Sequence, residues 1–485
     1  MSDVLRVALI VLLCVLAAFA AFMAARTPRA KKRAPLAPEP VDEALCERAA
    51  ASLADAIRIP TVTGNEAAMG ELHRYLRARY PLAHRRMTLE TQGQTLIFHW
   101  QGSDRRMTPI AFGGHMDVVP PGHGWTKDPF GGEYEDGYIY GRGAIDCKNV
   151  VVALLEAAES LLREGFEPER SVYFIFGHDE EKGGSGAART AELFVRRGIK
   201  LSLYLDEGGH IDPDFRGTGA AVAHIGITEK GVANMSVTAF SKGGHAARPP
   251  RHTALGSLCE AVCRIEATPL APRLTEAVEL YLKKTAPLLG WRMRFLTANL
   301  PFTRRALFRA LSKDPELNAL IRTTCAATMA TASDTVNVLP RSASARLSVR
   351  LLHGDTAREV EERIAAIAGD LNVEVESEVL GEASLVADTH SAMARLVRRM
   401  IRRRFGEGVT AAPGLMVGAT DARRFEQVCP CVLRFMPFVL DAREAARMHG
   451  ADERVSAERL GQAVGFYKAL MREAAQLKGT PGKEE

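Results

Sequence analysis

The sequence predicts an α/β protein, with a mainly parallel sheet flanked by helices, into which a second unit of α+β type is inserted. Over residues 41–228, short apolar runs rich in β-branched and aromatic residues alternate with helical patterns, as in parallel strands joined by helical crossovers. Over residues 229–380 the pattern changes to strands and helices of an α+β unit. The α/β pattern then returns over residues 381–475.

Residues 1–40 form a separate N-terminal segment. Every residue from Val7 to Ala25 is apolar, close to the ~20 residues that a helix needs to cross a bilayer. A Pro-rich spacer follows at residues 34–41. We therefore expect a single-pass membrane anchor. A cleaved signal peptide, which would leave a secreted body, is the alternative, although its apolar region is usually ~7–15 residues long.

The charges around this segment bear on its orientation. Only Arg6 precedes the apolar run, whereas five basic residues follow it: Arg26, Arg29, Lys31, Lys32 and Arg33. By the positive-inside rule the body would stay on the cytoplasmic side. The side of the membrane stays open.

The composition excludes some classes of protein. The chain has 485 residues, of which 47% are hydrophobic and 25% are charged, as in ordinary globular proteins. The net charge of +5 is small for this length, and the body has no basic run interleaved with aromatic residues, so a nucleic acid partner is not expected. The eight cysteines show no paired spacing and are expected to be free thiols.

The first cluster of chemically active residues is GGHMDVVP at residues 113–120. An apolar run ends there in two glycines, followed by His115 and Asp117. Open α/β sheets bind ligands beyond the carboxyl ends of their strands, where His115 is expected to lie. Asp117 suits a carboxylate that fixes the tautomer of a metal-binding imidazole. By itself the motif also fits a core or surface histidine.

Two acidic motifs follow. In YGRGAIDCKN, Asp146 stands between a glycine loop and a predicted helix, where it could bind metal or cap the helix. In GHDEEKGG, Asp179, Glu180 and Glu181 are consecutive, which is unfavourable unless a cation neutralises them. Because neighbouring residues on an extended segment point in opposite directions, we assign Glu181 as a metal ligand and Glu180 as a base that faces the substrate.

The remaining motifs complete a metal-binding set. LYLDEGG offers Asp206 or Glu207, and nothing in the local sequence decides between them. MHGADERV offers His449 shortly before the last predicted helix. A mixed set of nitrogen and oxygen ligands suits zinc, and two metals account for so many acids.

In this order the motifs resemble those of the co-catalytic zinc peptidases, which include aminoacylase, glutamate carboxypeptidase, carnosinase and yeast carboxypeptidase S. The resemblance covers about residues 45–470 and also includes KGGHAARPP, NVLP and GATDAR. It is strongest to the carboxypeptidase S branch, which contains a secreted N-fatty-acyl-amino-acid synthase/hydrolase. The resemblance implies a zinc-peptidase catalytic domain with an inserted ferredoxin-like lid and dimerisation domain.

The resemblance also implies roles for individual residues. Two Zn²⁺ ions would be held by His115, Asp146, Glu181, Asp206 and His449, with Asp146 bridging both ions. Asp206 is preferred to Glu207 by its spacing from the GHDEE motif in this branch. Asp117 would orient His115, and Glu180 would be the general base. Three residues would contact substrate: His245, Asn337 and Arg423, of which His245 would hold the oxyanion and Arg423 the free carboxylate.

The expected function is hydrolysis of an amide bond next to a free carboxylate, in a C-terminal peptide bond, a dipeptide or an N-acyl amino acid. Such an enzyme is a metallocarboxypeptidase or aminoacylase that acts on small molecules or peptides and forms a homodimer through the inserted domain. The alternative is a membrane-tethered, non-catalytic binding protein of the same fold, but no ligand or base is missing. Residues 274–330 are expected to add a helical layer or to form a wall for an apolar acyl group.

Overall fold

A computed structural model describes residues 3–31 and 36–478. Fifteen α-helices lie in the described part of the chain: α1 Asp3–Ala25, α2 Glu43–Ile57, α3 Glu66–Arg79, α4 Pro81–Arg86, α5 Lys148–Arg163, α6 Ser185–Arg196, α7 Ala254–Ala267, α8 Glu276–Thr285, α9 Trp291–Ala298, α10 Leu300–Leu311, α11 Pro315–Ile321, α12 Ala357–Ala368, α13 Ala392–Phe405, α14 Ala442–Ala445 and α15 Ala457–Gln476.

The same residues contain seventeen strands: β1 Thr88–Gln92, β2 Thr95–Trp100, β3 Ile110–His115, β4 Glu133–Glu135, β5 Tyr138–Tyr140, β6 Val172–Gly177, β7 Leu203–Asp212, β8 Val222–Glu229, β9 Gly231–Phe240, β10 Gly244–His245, β11 Thr324–Thr331, β12 Val338–Leu339, β13 Ser342–Leu351, β14 Val373–Gly381, β15 Thr410–Met416, β16 Val432–Val439 and β17 Arg454–Ser456.

The central sheet has eight strands in the order β1-β2-β6-β3-β7-β16-β8-β15. Strands β6, β3, β7 and β16 are mutually parallel, and β8 is parallel to β15, whereas β1 and β2 are antiparallel. Apolar residues of α2, α5, α13 and α15 cover one face of the sheet, and those of α6 cover the other. The prediction of an α/β fold with a mainly parallel sheet is therefore confirmed.

The chain between β8 and α13 builds a second sheet. Strands β9, β11, β13 and β14 form an antiparallel sheet in the order β11-β13-β9-β14, and α7 and α12 pack against it around a core of their own. Strand β11 is an edge strand, and its residues from Ala326 to Thr331 are exposed. This part of the chain is therefore of α+β type.

Residues 274–330 form an additional layer of helices. Helix α8 packs against β15, and its residues Ala277, Val278 and Leu282 are buried in the main core. Helices α9, α10 and α11 follow within the same stretch.

The N-terminal helix α1 has a 21-residue stretch, Leu5–Ala25, with a mean hydropathy of 3.0 and few buried residues. Its length and composition are sufficient for a membrane span, and a signal sequence can have the same length and composition. Lys32 and Arg33, two of the five basic residues that follow the apolar run, lie outside the residues that the structure describes.

Candidate active site

Three of the sequence motifs meet at one edge of the central sheet. His115 is the last residue of β3, and a 3-10 turn over Glu180–Lys182 follows β6 closely. Asp206 and Glu207 lie in β7, the other neighbour of β3. Because β3, β6 and β7 are parallel, these residues are brought to the same edge, as expected for a ligand site in an open α/β sheet.

Asp146 lies between two histidines. Its Oδ1 is 2.9 Å from His115 Nε2, and its Oδ2 is 2.9 Å from His449 Nε2. Glu207 Oε1 lies 3.4 Å from His115 Nε2, and Glu181 Oε1 lies 3.3 Å from His449 Nε2. The donor atoms thus form two groups that share Asp146, each with its donor atoms within 4.8 Å of one another.

These residues fit a pair of divalent metal ions. Both groups offer one imidazole and two carboxylates, and the group around His115 also includes the Cys147 thiol, a mixed donor set that suits zinc. Glu181 Oε1 is buried and makes no hydrogen bond, as expected of an atom that awaits a metal. Close contacts of His449 Nε2 with the carboxylates of Asp146 and Glu181, at 2.9 and 3.3 Å, raise the pKa of this imidazole to about 10. A cation is therefore favoured at this position.

The structure places the two acids of LYLDEGG on opposite faces of β7. Asp206 was preferred as the metal ligand, but the carboxylate beside His115 belongs to Glu207. Neighbouring residues on a strand point to opposite faces, and Asp206 shares the other face of β7 with Tyr204. A Cβ atom at Gly113 would come within 2.3 Å of Tyr204 Oη and 2.5 Å of Asp206 Oδ1, so the glycine is required there.

Burial and the nearby charges of Glu207 and Asp421 raise the pKa of Asp206 well above its ordinary value. Its Oδ2 is buried and makes no hydrogen bond. Because it points away from the two histidines, Asp206 joins neither metal-ligand group.

Asp117 positions two parts of the site. His115 Nδ1 is 2.9 Å from the backbone oxygen of Asp117 and 3.4 Å from its Oδ1, an arrangement that holds the proton on Nδ1 and leaves Nε2 free for a metal. The Asp117 carboxylate also accepts hydrogen bonds from the backbone N–H groups of Glu180 and Glu181, at 3.2 and 3.3 Å. Burial opposes its ionisation, but hydrogen bonds from His115 and Thr63 outweigh burial and keep its pKa below the ordinary value.

Glu180 lies beside both His115 and Glu181, with one donor atom of each within 4.8 Å of the others. Burial raises its pKa well above the ordinary value, and the negative charges of Glu207 and Asp421 add to this effect, partly opposed by His115. A carboxylate whose pKa is raised toward neutrality is suited to accept and return a proton. Glu180 therefore lies beside two of the candidate ligands, and its role as the base stays a prediction.

A buried ion pair that the sequence interpretation missed joins the two loops bearing Asp146 and His449. Arg142 Nη1 lies 2.6 Å from Glu453 Oε2, with both side chains almost fully buried. Glu453 Oε1 accepts hydrogen bonds from the backbone N–H groups of Ile145 and Asp146, at 2.6 and 3.0 Å. Arg142 Nη2 donates to the carbonyl oxygen of His449 at 3.1 Å. Both residues stand inside motifs used above, but their pairing depends on a contact between distant parts of the chain.

Breaking this pair should destabilise the protein. We expect Glu453→Gln to lower the free energy of unfolding by about 3–5 kcal/mol, because it leaves the Arg142 guanidinium buried without its partner. Thermal and denaturant unfolding would measure the loss. Glu362→Gln is the matched control, since Glu362 pairs with Arg358 on the surface of α12 and should cost less than about 1 kcal/mol. Equal unfolding midpoints for the two variants would contradict the prediction.

The three residues expected to contact substrate lie apart from this cluster. His245 and Asn337 are brought together, because β10 pairs with β12 and Ala246 N–H donates to the Asn337 carbonyl oxygen at 3.0 Å. Both side chains are exposed. Arg423 binds Glu229 Oε2 at 3.1 Å and the Lys230 carbonyl oxygen at 2.6 Å, where the chain enters the inserted unit.

Within residues 3–31 and 36–478, no hydrogen bond or ion pair joins His245, Asn337 or Arg423 to the metal-ligand groups. The GATDAR motif instead directs Asp421 toward the site. Burial and the charges of neighbouring acids raise the pKa of Asp421 to about 7, in spite of the opposing charge of His115. Gly177 and Gly184 leave space for its carboxylate, since a Cβ atom at either position would collide with it.

The fold and the site together define a peptidase-type enzyme with two adjacent metal-ligand groups. Residues 111–473 match the family described as "Peptidase family M20/M25/M40". The chain belongs to this family, and the resemblance inferred from its motifs is confirmed.

Curated relatives agree with this assignment. The chain is 36% identical to "Probable carboxypeptidase S-like 2" of Dictyostelium discoideum, over 83% of this chain and 79% of that protein. It is 34% identical to "N-fatty-acyl-amino acid synthase/hydrolase PM20D1" of Xenopus tropicalis, over 87% of this chain and 85% of that protein.

Solved structures share the fold at lower identity. The M20 family metallo-carboxypeptidase Sso-CP2 from Sulfolobus solfataricus superposes with a TM-score of 0.67 at 18% identity, over 90% of this chain and all of that chain. The YXEP protein of Bacillus subtilis, described as a dinuclear metal binding peptidase, superposes with a TM-score of 0.56 at 13% identity, over 90% of this chain and 99% of that chain.

Proposed function

We propose that the protein is a zinc-dependent hydrolase that cleaves an amide bond next to a free carboxylate, in a C-terminal peptide bond or an N-acyl amino acid. The observation that carries this proposal is the placement of Asp146, whose two oxygens face His115 and His449, with Glu180 beside the same cluster. The names of the relatives, carboxypeptidase S-like and N-fatty-acyl-amino acid synthase/hydrolase, fit both kinds of bond.

In this proposal His115, Asp146 and Glu207 hold one zinc ion, and Asp146, Glu181 and His449 hold the other. When bound, the zinc ions supply Lewis acidity and lower the pKa of water toward ~7. Glu180 accepts the proton of the attacking water and then delivers it to the leaving nitrogen. Asp117 holds His115 and the backbone of Glu180 in place during both transfers.

We further propose that the enzyme works as a homodimer through the inserted unit. His245 and Asn337 are exposed and make no contact with their own metal-ligand groups, which suits residues that serve the site of a second copy. There His245 would hold the oxyanion and Asn337 would line the same site. The exposed edge strand β11 offers a surface for pairing with its symmetry mate. Sedimentation of the purified protein as a monomer would contradict this arrangement.

We propose a structural role for Arg423 in place of binding the substrate carboxylate. Its guanidinium is nearly buried and already engaged by Glu229 and by the Lys230 carbonyl oxygen. Glu229 also pairs with the fully buried Arg434, at 2.5 Å. Arg423 is thus part of a network at the junction between β8 and the inserted unit.

Metal analysis and a substrate panel test the proposed reaction. We expect the full-length protein, purified in detergent, to contain two zinc ions per chain and to hydrolyse N-acyl amino acids or blocked dipeptides with a free carboxylate. The same compounds with an amidated carboxyl group serve as matched controls and should react far more slowly. Less than about one zinc per chain, or no reaction with any compound, would favour the non-catalytic alternative.

We also propose that α1 anchors the protein in a membrane as a single span, with secretion after signal cleavage as the alternative. The length and apolar character of α1 support either form.

A further inference from the structure

Helices α9 and α10 form a hairpin that contacts the C-terminal part of α1. The rings of Phe19 and Phe302 meet edge to face, with their centroids 4.9 Å apart. Asn299 Nδ2 donates a hydrogen bond to the carbonyl oxygen of Met23 at 3.1 Å. Met23 is buried, although nearly all the rest of α1 is exposed. The hairpin is therefore the place where α1 meets the folded body.

This contact determines the level of the hairpin relative to a membrane. Phe19 lies six residues before the end of α1, which corresponds to about 9 Å along a helix. If α1 crosses a bilayer, the side chain of Phe302 lies level with the last two turns of the span. The hairpin is then held against the region between headgroups and acyl chains.

The composition of the hairpin suits this location. Residues 291–313 contain six Lys and Arg residues and no Asp or Glu. Trp291 and Phe302 are large aromatic residues that are 54% and 57% exposed. A groove of about 340 Å³ between the helices has an apolar floor that includes Phe295 and Leu296, and its rim carries Arg292, Arg309 and Lys313. Exposed aromatic residues beside unneutralised basic ones are typical of segments that bind membrane interfaces.

We propose that the hairpin α9–α10 docks into the interface of a membrane that contains anionic lipids. Trp291 and Phe302 insert between the headgroups, and the basic side chains bind lipid phosphates. The proposal rests on the proposed membrane anchor, because α1 fixes the hairpin at this level. It assigns to the long insertion a function in holding the body against the bilayer, beyond forming an additional helical layer.

Tryptophan quenching tests the aromatic contact. The full-length protein would be reconstituted into vesicles of phosphatidylcholine and phosphatidylglycerol with brominated acyl chains. The chain has three tryptophans, of which Trp100 is buried and Trp125 lies against Arg142, whereas Trp291 is exposed on the hairpin. We expect the brominated lipid to quench part of the wild-type emission, and Trp291→Phe to remove this quenching. Absence of quenching, or the same quenched fraction in the variant, would overturn the proposal.

Charge reversal tests the lipid contact with a matched control. Arg305→Glu combined with Arg309→Glu changes two exposed residues of α10, and Arg189→Glu combined with Arg196→Glu changes two exposed residues of α6. Helix α6 contacts β1 at one edge of the central sheet. Helix α8, which precedes the hairpin in the chain, contacts β15 at the opposite edge. Phosphatidylglycerol should increase quenching in the wild type and in the α6 variant but not in the α10 variant. An equal increase in all three proteins would overturn the assignment of the lipid phosphates to the basic residues of the hairpin.

Failure of the anchor can be recognised separately. The protein would be expressed in cells and their membranes extracted with alkaline carbonate. A chain that resists extraction and keeps its N-terminus would support the anchor. Release of a shortened chain would show signal cleavage. The released chain would then be added to the same brominated vesicles. Quenching of Trp291 would support the hairpin without the anchor, and lack of quenching would overturn it. A carbonate-resistant chain without quenching would contradict the hairpin alone.

Discussion

Replacing Glu180 with glutamine should lower kcat by about 10²–10⁴-fold, the contribution of a positioned general base. The substitution keeps the size of the side chain but removes its ability to accept a proton. Glu180 lies outside the two groups that share Asp146 but forms a third donor group with His115 and Glu181. If it acts as the base, the variant should keep its metal. Steady-state kinetics on a reactive N-acyl amino acid and elemental analysis of the purified variant would measure the two effects.

Lys182→Gln provides the control for this experiment. Lys182 lies on the same 3-10 turn, is exposed, and donates a hydrogen bond to the Thr63 carbonyl oxygen at 3.1 Å. The control should turn over at nearly the wild-type rate and should bind metal normally. Near-normal turnover of Glu180→Gln would show that another group accepts the proton. Loss of metal from that variant would instead identify Glu180 as a ligand.

Glu207→Gln should weaken the binding of one metal by more than about 100-fold, the upper range for residues that only support a ligand. The variant should retain about half of the wild-type zinc and lose most of its activity, because the metal pair is incomplete. Zinc titration of the chelator-stripped protein, with activity measured at each step, would give the affinity of each site.

Asp206→Asn is the matched control, since it changes the neighbouring acid on the same strand. Its carboxyl group faces the other side of β7, and burial already favours its neutral form. We expect this variant to keep both metals and to show, at most, reduced stability. If Asp206→Asn loses a metal and Glu207→Gln does not, the interpretation from the motif spacing is right and the assignment from the geometry is wrong.

The sequence predicted several strands of the central sheet, because buried parallel strands are short apolar runs bounded by glycines and polar residues. The run before His115 and the run before GHDEE correspond to β3 and β6. The order of the motifs also identified the family, which the comparison with known proteins confirmed. These features are local, so each could be recognised without knowing where the rest of the chain lies.

The residues that the sequence could not assign are those whose role depends on a distant contact. Whether Asp206 or Glu207 faces the metals depends on which side of β7 faces the histidines, and both residues are equally acidic. The partner of Arg423 is Glu229, at the start of the inserted unit, and no spacing rule relates them.

The sequence by itself determined that this is an α/β peptidase-type enzyme with a cluster of histidines and acids at the ends of its strands. The apolar runs are sufficient for the fold class, and the resemblance of the ordered motifs to those of known zinc peptidases is sufficient for the class of enzyme. Only the tertiary structure decided that Glu207 lies beside His115, that Arg142 and Glu453 join two ligand loops, and that the hairpin α9–α10 meets α1. Each of these depends on side-chain direction and on packing between segments far apart in the chain, which local patterns do not encode.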